Sequence, residues 1–145
     1  MIPTLALAAL LSATVAPLAS AHCQVPCGIF DNNNVIQSMH TDYVTIEKAM
    51  IQIAELEKNP GTNANQLVRW VNNKESHAQD IQEKVLNYFL AQRLKTDDPE
   101  YVEKLKLCHE VIISAMKCKQ TIDTAEVKKL HDLLHSFEKA FGEKE

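Results

Sequence analysis

The sequence predicts an all-α fold, an antiparallel four-helix bundle, on three observations. Apolar residues recur at intervals of three and four through four separate segments. Turn formers are scarce: three glycines and five prolines in 145 residues fall well below their usual combined share of about 12%. The breaks between segments are short and carry proline, glycine or helix-capping residues, as antiparallel helical neighbours require. A hydrophobic fraction of 46% and a charged fraction of 23% argue against a disordered tail and against a polytopic membrane protein. Fifteen basic and nineteen acidic residues leave a formal charge of −4. Without a basic cluster, nucleic acid is not an expected partner.

In the first helix Ile36, Met39, Tyr43, Ile46, Met50 and Ile53 form the apolar stripe of a bundle helix, and Asn59-Pro60-Gly61 ends it. The second is expected from about Asn63 to Arg93, with Val71, Ala78, Ile81, Val85 and Tyr88 inward and an unusually polar middle from Asn72 to His77. Asp98-Pro99 reads as an N-cap followed by a proline at the first helical position of the third helix. Its expected stripe is Val102, Leu105, His109, Ile112 and Met116. Asp123 and Glu126 have capping-box spacing and open the fourth helix, which buries Val127, Leu130, Leu134, Phe137 and Phe141. Trp70, Leu86 and Phe89 are apolar beyond what one bundle needs, so part of their surface is expected to face neighbouring subunits.

The first 21 residues differ in kind. Ile2 to Leu18 is almost wholly apolar, no charged side chain precedes Asp31, and Ala19-Ser20-Ala21 fits the small-x-small pattern of a signal-peptidase site. Residues 1–21 therefore read as a cleaved presequence, with a presequence-cleaving protease as partner and an exported, periplasmic or extracellular, product beginning at His22. No membrane is expected to hold the mature form. The only positive charge ahead of the run is the amino terminus, which leaves a non-secretory propeptide and a cytoplasmic location as the alternative. An uncleaved anchor is a third reading, because the run approaches the ~18 residues that span a bilayer.

A bundle says little about activity, so the chemistry is sought in residues that the bundle does not need. They are His22-Cys23-Gln24-Val25-Pro26-Cys27-Gly28-Ile29-Phe30-Asp31, an N-terminal metal-binding hook in residues 22–31 preceding the bundle of residues 32–145. Once His22 is first, its amine and the backbone nitrogen of Cys23 can close a five-membered chelate ring. That nitrogen and the Cys23 thiolate close a second. Cys27 can return to complete a square plane, and Pro26 has no N–H to compete. The His22 ring lies where it can cap the plane. Square-planar nitrogen and sulfur donors suit Ni(II), with Cu(II) as the alternative. A Cys23–Cys27 disulfide is the structural alternative, although closing so small a loop stabilises little.

The run H-C-x-x-P-C-G-x-[YF]-D at a processed N-terminus, followed by a helical domain of this length, resembles the nickel-containing superoxide dismutases over the whole mature chain. The resemblance implies one nickel ion per subunit cycling between Ni(II) and Ni(III). It also implies disproportionation of superoxide to oxygen and hydrogen peroxide, and a homohexamer of such bundles. It implies that His22 binds through amine and ring, Cys23 through thiolate and backbone nitrogen, and Cys27 through thiolate. Phe30 falls where many members carry a tyrosine near the open axial face, and Tyr88 looks like a second tyrosine on the same approach. Ser38 and His77 stand where some members hold a glutamate and an arginine that orient the hook imidazole.

Other candidates are weaker. His131 and His135 stand at i, i+4, but without H-E-x-x-H they read as a solvated pair. His40 and His109 read as packed or surface residues. Cys108 and Cys118, about 15 Å apart along one helix, read as buried free thiols. Two rival functions use the same hook: a secreted nickel- or copper-binding bundle without turnover, and a thiol–disulfide exchange protein, which would lack C-x-x-C spacing.

Overall fold

The computed structural model describes residues 31–142. The presequence and the hook residues His22, Cys23, Cys27 and Phe30 lie outside them. Four helices follow in order: α1 (Asn32–Leu56), α2 (Pro60–Glu83) continued by a π-helical stretch (Lys84–Arg93), α3 (Tyr101–Gln120) and α4 (Thr124–Phe141). Each packs on two others, α1 on α2 and α4, and α3 on α2 and α4, so the all-α four-helix bundle expected from the sequence is present. Among the described residues no helix is long and apolar enough to cross a membrane.

The stripes of α1 and α4 are buried as expected, every one of their eleven named positions. Mostly polar residues fill the intervening positions, with Val44 and Ile51 on α1 as exposed exceptions. Pro60 opens α2 instead of ending α1, since a proline at the first turn has no N–H to waste. The first turn is thus three residues earlier than expected.

Two parts of the expected packing are wrong. Val71 is exposed, and so are Val102, Leu105 and Met116. The inward face of α3 is instead Cys108, Val111, Ser114, Ala115 and Cys118, one position round the helix. The smaller residues thus face α2 and α4, and the larger stripe faces outward. Phe89, expected at a subunit surface, is fully buried. Four residues after Val85, its ring meets Phe137 and Phe141 edge-on, with centroids 4.6 and 5.1 Å away. Trp70 is half-buried, with the Lys48 ammonium 5.8 Å from its ring centre.

The polar middle of α2 has a structural reason. Lys74 is buried, and its ammonium donates to the Cys118 carbonyl at 2.8 Å, to the Lys119 carbonyl, and to Glu75 at 3.0 Å. Those carbonyls end α3 and have no partner within the helix, so one lysine caps a neighbouring helix from inside the bundle. The start of α3 is also refined: Asp98 accepts from the Glu100 amide at 2.8 Å, and the helix begins at Tyr101. At α4 only half of the capping box forms. Asp123 accepts from the Ala125 amide at 2.9 Å, while its own amide donates to Thr121 Oγ1 and not to Glu126.

The aromatic contact at Phe89 sets the stability of this end of the bundle. Phe89→Ala is expected to cost about 3–5 kcal/mol, whereas the half-exposed Leu86→Ala should cost under about 1 kcal/mol. Urea unfolding followed by circular dichroism gives both values.

Candidate metal centre and its foundation

The hook joins the bundle at Asp31, whose carboxylate accepts from the Asn33 amide at 2.6 Å and caps α1. The next residue, Asn32, is buried. Its amide nitrogen donates to the Phe141 carbonyl at 2.8 Å, and its amide oxygen accepts from the Tyr88 hydroxyl at 3.0 Å. One side chain therefore fastens the start of α1 to the end of α4 and to the π-helical stretch. Gly142 keeps this corner closed. A Cβ there would lie 2.5 Å from the Glu138 carbonyl, which is the acceptor for the Gly142 amide.

A cleft opens beside this corner, lined by Asn32, Phe141, Arg93, Lys95, Lys104 and Asp98 among others. The Arg93 guanidinium stands 5.7 Å from the Tyr88 ring centre. Lys104 lies 5.7 Å from that of Phe141 and bonds Asp98 at 2.8 Å. That hydrogen bond holds the Asp98 carboxyl below its ordinary range and raises the Lys104 pKa. Three cations against one ionised acid leave the cleft lining at +2 on a chain of net charge −4.

His77 lies elsewhere. Its Nδ1 is 2.8 Å from the buried Asp42 carboxylate, whose other oxygen meets the Lys84 ammonium. Asp42 comes one turn after Ser38 on α1 and is the partner that sequence reading did not identify. The only signal for it was an acid interrupting an apolar stripe. Asn32 and Asp42, ten residues apart, are about 15 Å apart along α1. The structure therefore does not bring Tyr88 and His77 together; they flank two stations on one helix. Asp80 approaches His77 and Asp42, but Lys84 and His77 already satisfy Asp42, so this group is an ion-pair network and not a metal site.

Cys108 and Cys118 are free and buried. Burial pushes both thiols up to about 12, so neither is a thiolate donor at neutral pH. His109 is exposed. His131 and His135 are joined by His40, which reaches across from α1. Burial lowers the His40 pKa against an opposing pull from Glu138, and the other two imidazoles lower it further.

The model of the family described as nickel-containing superoxide dismutase matches residues 17–145. No significant match to a curated protein or to a solved structure accompanies it. The matched span takes in the hook sequence and all four helices, so the chain belongs to the nickel-containing superoxide dismutase family, oxidoreductases that use nickel to act on superoxide.

Proposed function

We propose that the enzyme carries out dismutation at a nickel centre built entirely from its processed N-terminus. The observation that carries this reading is His22-Cys23 directly behind Ala19-Ser20-Ala21, with Pro26-Cys27-Gly28 following at chelating distance in sequence. The donor set fits the metal: two thiolates, an amine, a deprotonated amide and an imidazole are soft and electron-rich enough to bring nickel oxidation within reach. Among the described residues the sulfur atoms of Cys108 and Cys118 are protonated and enclosed, which leaves the hook cysteines as the sulfur donors. When bound, the nickel supplies the Ni(II)/Ni(III) couple that alternately oxidises and reduces superoxide.

The remaining residues position that donor set and admit the anion. Asn32 and the Asp31 cap fix where the hook leaves the bundle. Ten residues separate His22 from Asn32, a reach of up to about 33 Å. The chain is thus long enough for the imidazole to meet either station on α1, and the Asp42–His77 pair is the polar partner available to orient it. Phe30 has no hydroxyl, and the fully buried Tyr88 donates its hydroxyl proton to Asn32, so Tyr88 supports the corner beside the hook and does not itself donate to the anion. Arg93, Lys95 and Lys104 on the adjoining cleft attract superoxide locally where the whole chain does not. Residues 1–21 act as an export signal, and the exposed Val102, Leu105 and Met116 on α3 with Val44 and Ile51 on α1 support closed assembly, six chains by family resemblance.

Three outcomes follow. Cys23→Ser or Cys27→Ser should abolish nickel binding and dismutation while leaving helical circular dichroism unchanged; activity retained in either variant overturns the hook. A form keeping one alanine before His22 should be inactive after nickel loading, because the in-plane amine becomes a poorly basic amide. Superoxide decay with and without nickel reads this, and it also separates the enzyme from a bundle that binds metal without turnover. Sedimentation of the mature form at micromolar concentration should give a hexamer, and a monomer would remove the assembly.

A further inference from the structure

The three histidines on the α1–α4 face have no part in the nickel reading, and they lie in an arrangement that hydrogen bonding does not explain. Glu138 Oε2 is 3.6 Å from His40 Nε2 and 3.5 Å from His135 Nδ1. Both distances are too long for hydrogen bonds of ordinary length. They are close to the ~3.4 Å edge of a tetrahedron whose corners lie about 2.0–2.1 Å from a central zinc ion. All three donor atoms fall within 4.8 Å of one another. His40 Nε2 is enclosed by protein and has no hydrogen-bond partner among the described residues. A buried imidazole nitrogen left unpaired is costly unless something binds it.

We propose that His40, His135 and Glu138 form a second metal site, distinct from the hook, that binds one zinc(II) ion per chain and leaves a fourth position for water. Two imidazoles and a carboxylate are the donor set of many three-ligand zinc sites. His135 and Glu138, at i, i+3, project from the same face of α4, and His40 closes the site from α1. The surrounding residues supply the outer support that such sites use. His135 Nε2 lies 3.0 Å from His131 Nε2, so the nitrogen of His135 that does not face Glu138 can donate to His131. The His131 ring is itself stacked on Tyr43 at 4.5 Å and 15°, and the Tyr43 hydroxyl donates to Glu47 at 3.0 Å. His40 is half-buried while His135 and Glu138 are open to solvent, so an ion can enter. The set contains no sulfur, which separates its preference from that of the hook.

The test uses the untagged mature protein with nickel in the hook, dialysed against zinc(II) and analysed for both metals. One zinc per chain should bind in addition to the nickel, and cobalt(II) in its place should give visible absorption of tetrahedral intensity. Glu138→Gln and His135→Ala, both at exposed positions, should weaken zinc binding more than tenfold with nickel content and dismutation unchanged. His131→Ala, which removes only the outer partner, should weaken it about 10–100-fold. The chain carrying both Cys23→Ser and Cys27→Ser must still bind the same single zinc, so a failure of the hook reading does not touch this one. Absence of a stoichiometric zinc, or undiminished binding in Glu138→Gln and His135→Ala, overturns the proposal.

Discussion

The buried side chain of Asn32 is the constraint on which one end of the bundle depends. A primary amide offers a donor and an acceptor on opposite sides of one short group. Here the donor takes a carbonyl of α4 and the acceptor takes the hydroxyl of Tyr88. No apolar residue could fasten three segments in this way. Asn32 directly follows the proposed hook, so the contact that closes the bundle would also fix where that segment ends.

The other buried polar groups follow the same logic. Lys74 neutralises the carbonyl end of α3, where the helix dipole is negative and a cation is favoured, and Asp42 lies between His77 and Lys84. Burying a charge costs several kcal/mol unless it is fully partnered. Lys74 and Asp42 are partnered, so their value lies in fixing how α1, α2 and α3 align. An all-apolar stripe permits sliding by one turn, since each turn presents a similar surface. A lysine that must reach two particular carbonyls does not.

How far the sequence could be read depended on contrast between neighbouring positions. Helices α1 and α4 alternate apolar and polar residues sharply, and their faces were legible position by position. Helix α3 offers two adjacent stripes, one of large residues and one containing Cys108, Ala115 and Cys118. The larger hydrophobes are the expected face, whereas the stripe with the smaller residues is the one buried. The hook is an expectation from sequence alone, since chelate rings require particular atoms at particular spacings along the chain and residues 22–30 lie outside the described ones. Asp42 and His40 were not legible, because each acts through a partner on another helix, and nothing in local spacing reports a contact across α1 to α2 or α4.

The distribution of donor atoms bears on how one small chain could discriminate between metals. Across first-row dications affinity rises toward copper for almost any ligand set, so a protein selects by geometry and ligand softness. Here burial pushes the thiols of α3 up to about 12, which withdraws soft donors from the bundle and would leave them to the proposed hook. The imidazoles capable of meeting one another are collected on α1 and α4, with a carboxylate and without sulfur. A square-planar sulfur and nitrogen site and a tetrahedral nitrogen and oxygen site would differ in the geometry and softness they favour. Silencing Cys108 and Cys118 thus does more than fill the core: an accessible thiolate on α3 would offer the soft ion a competing ligand.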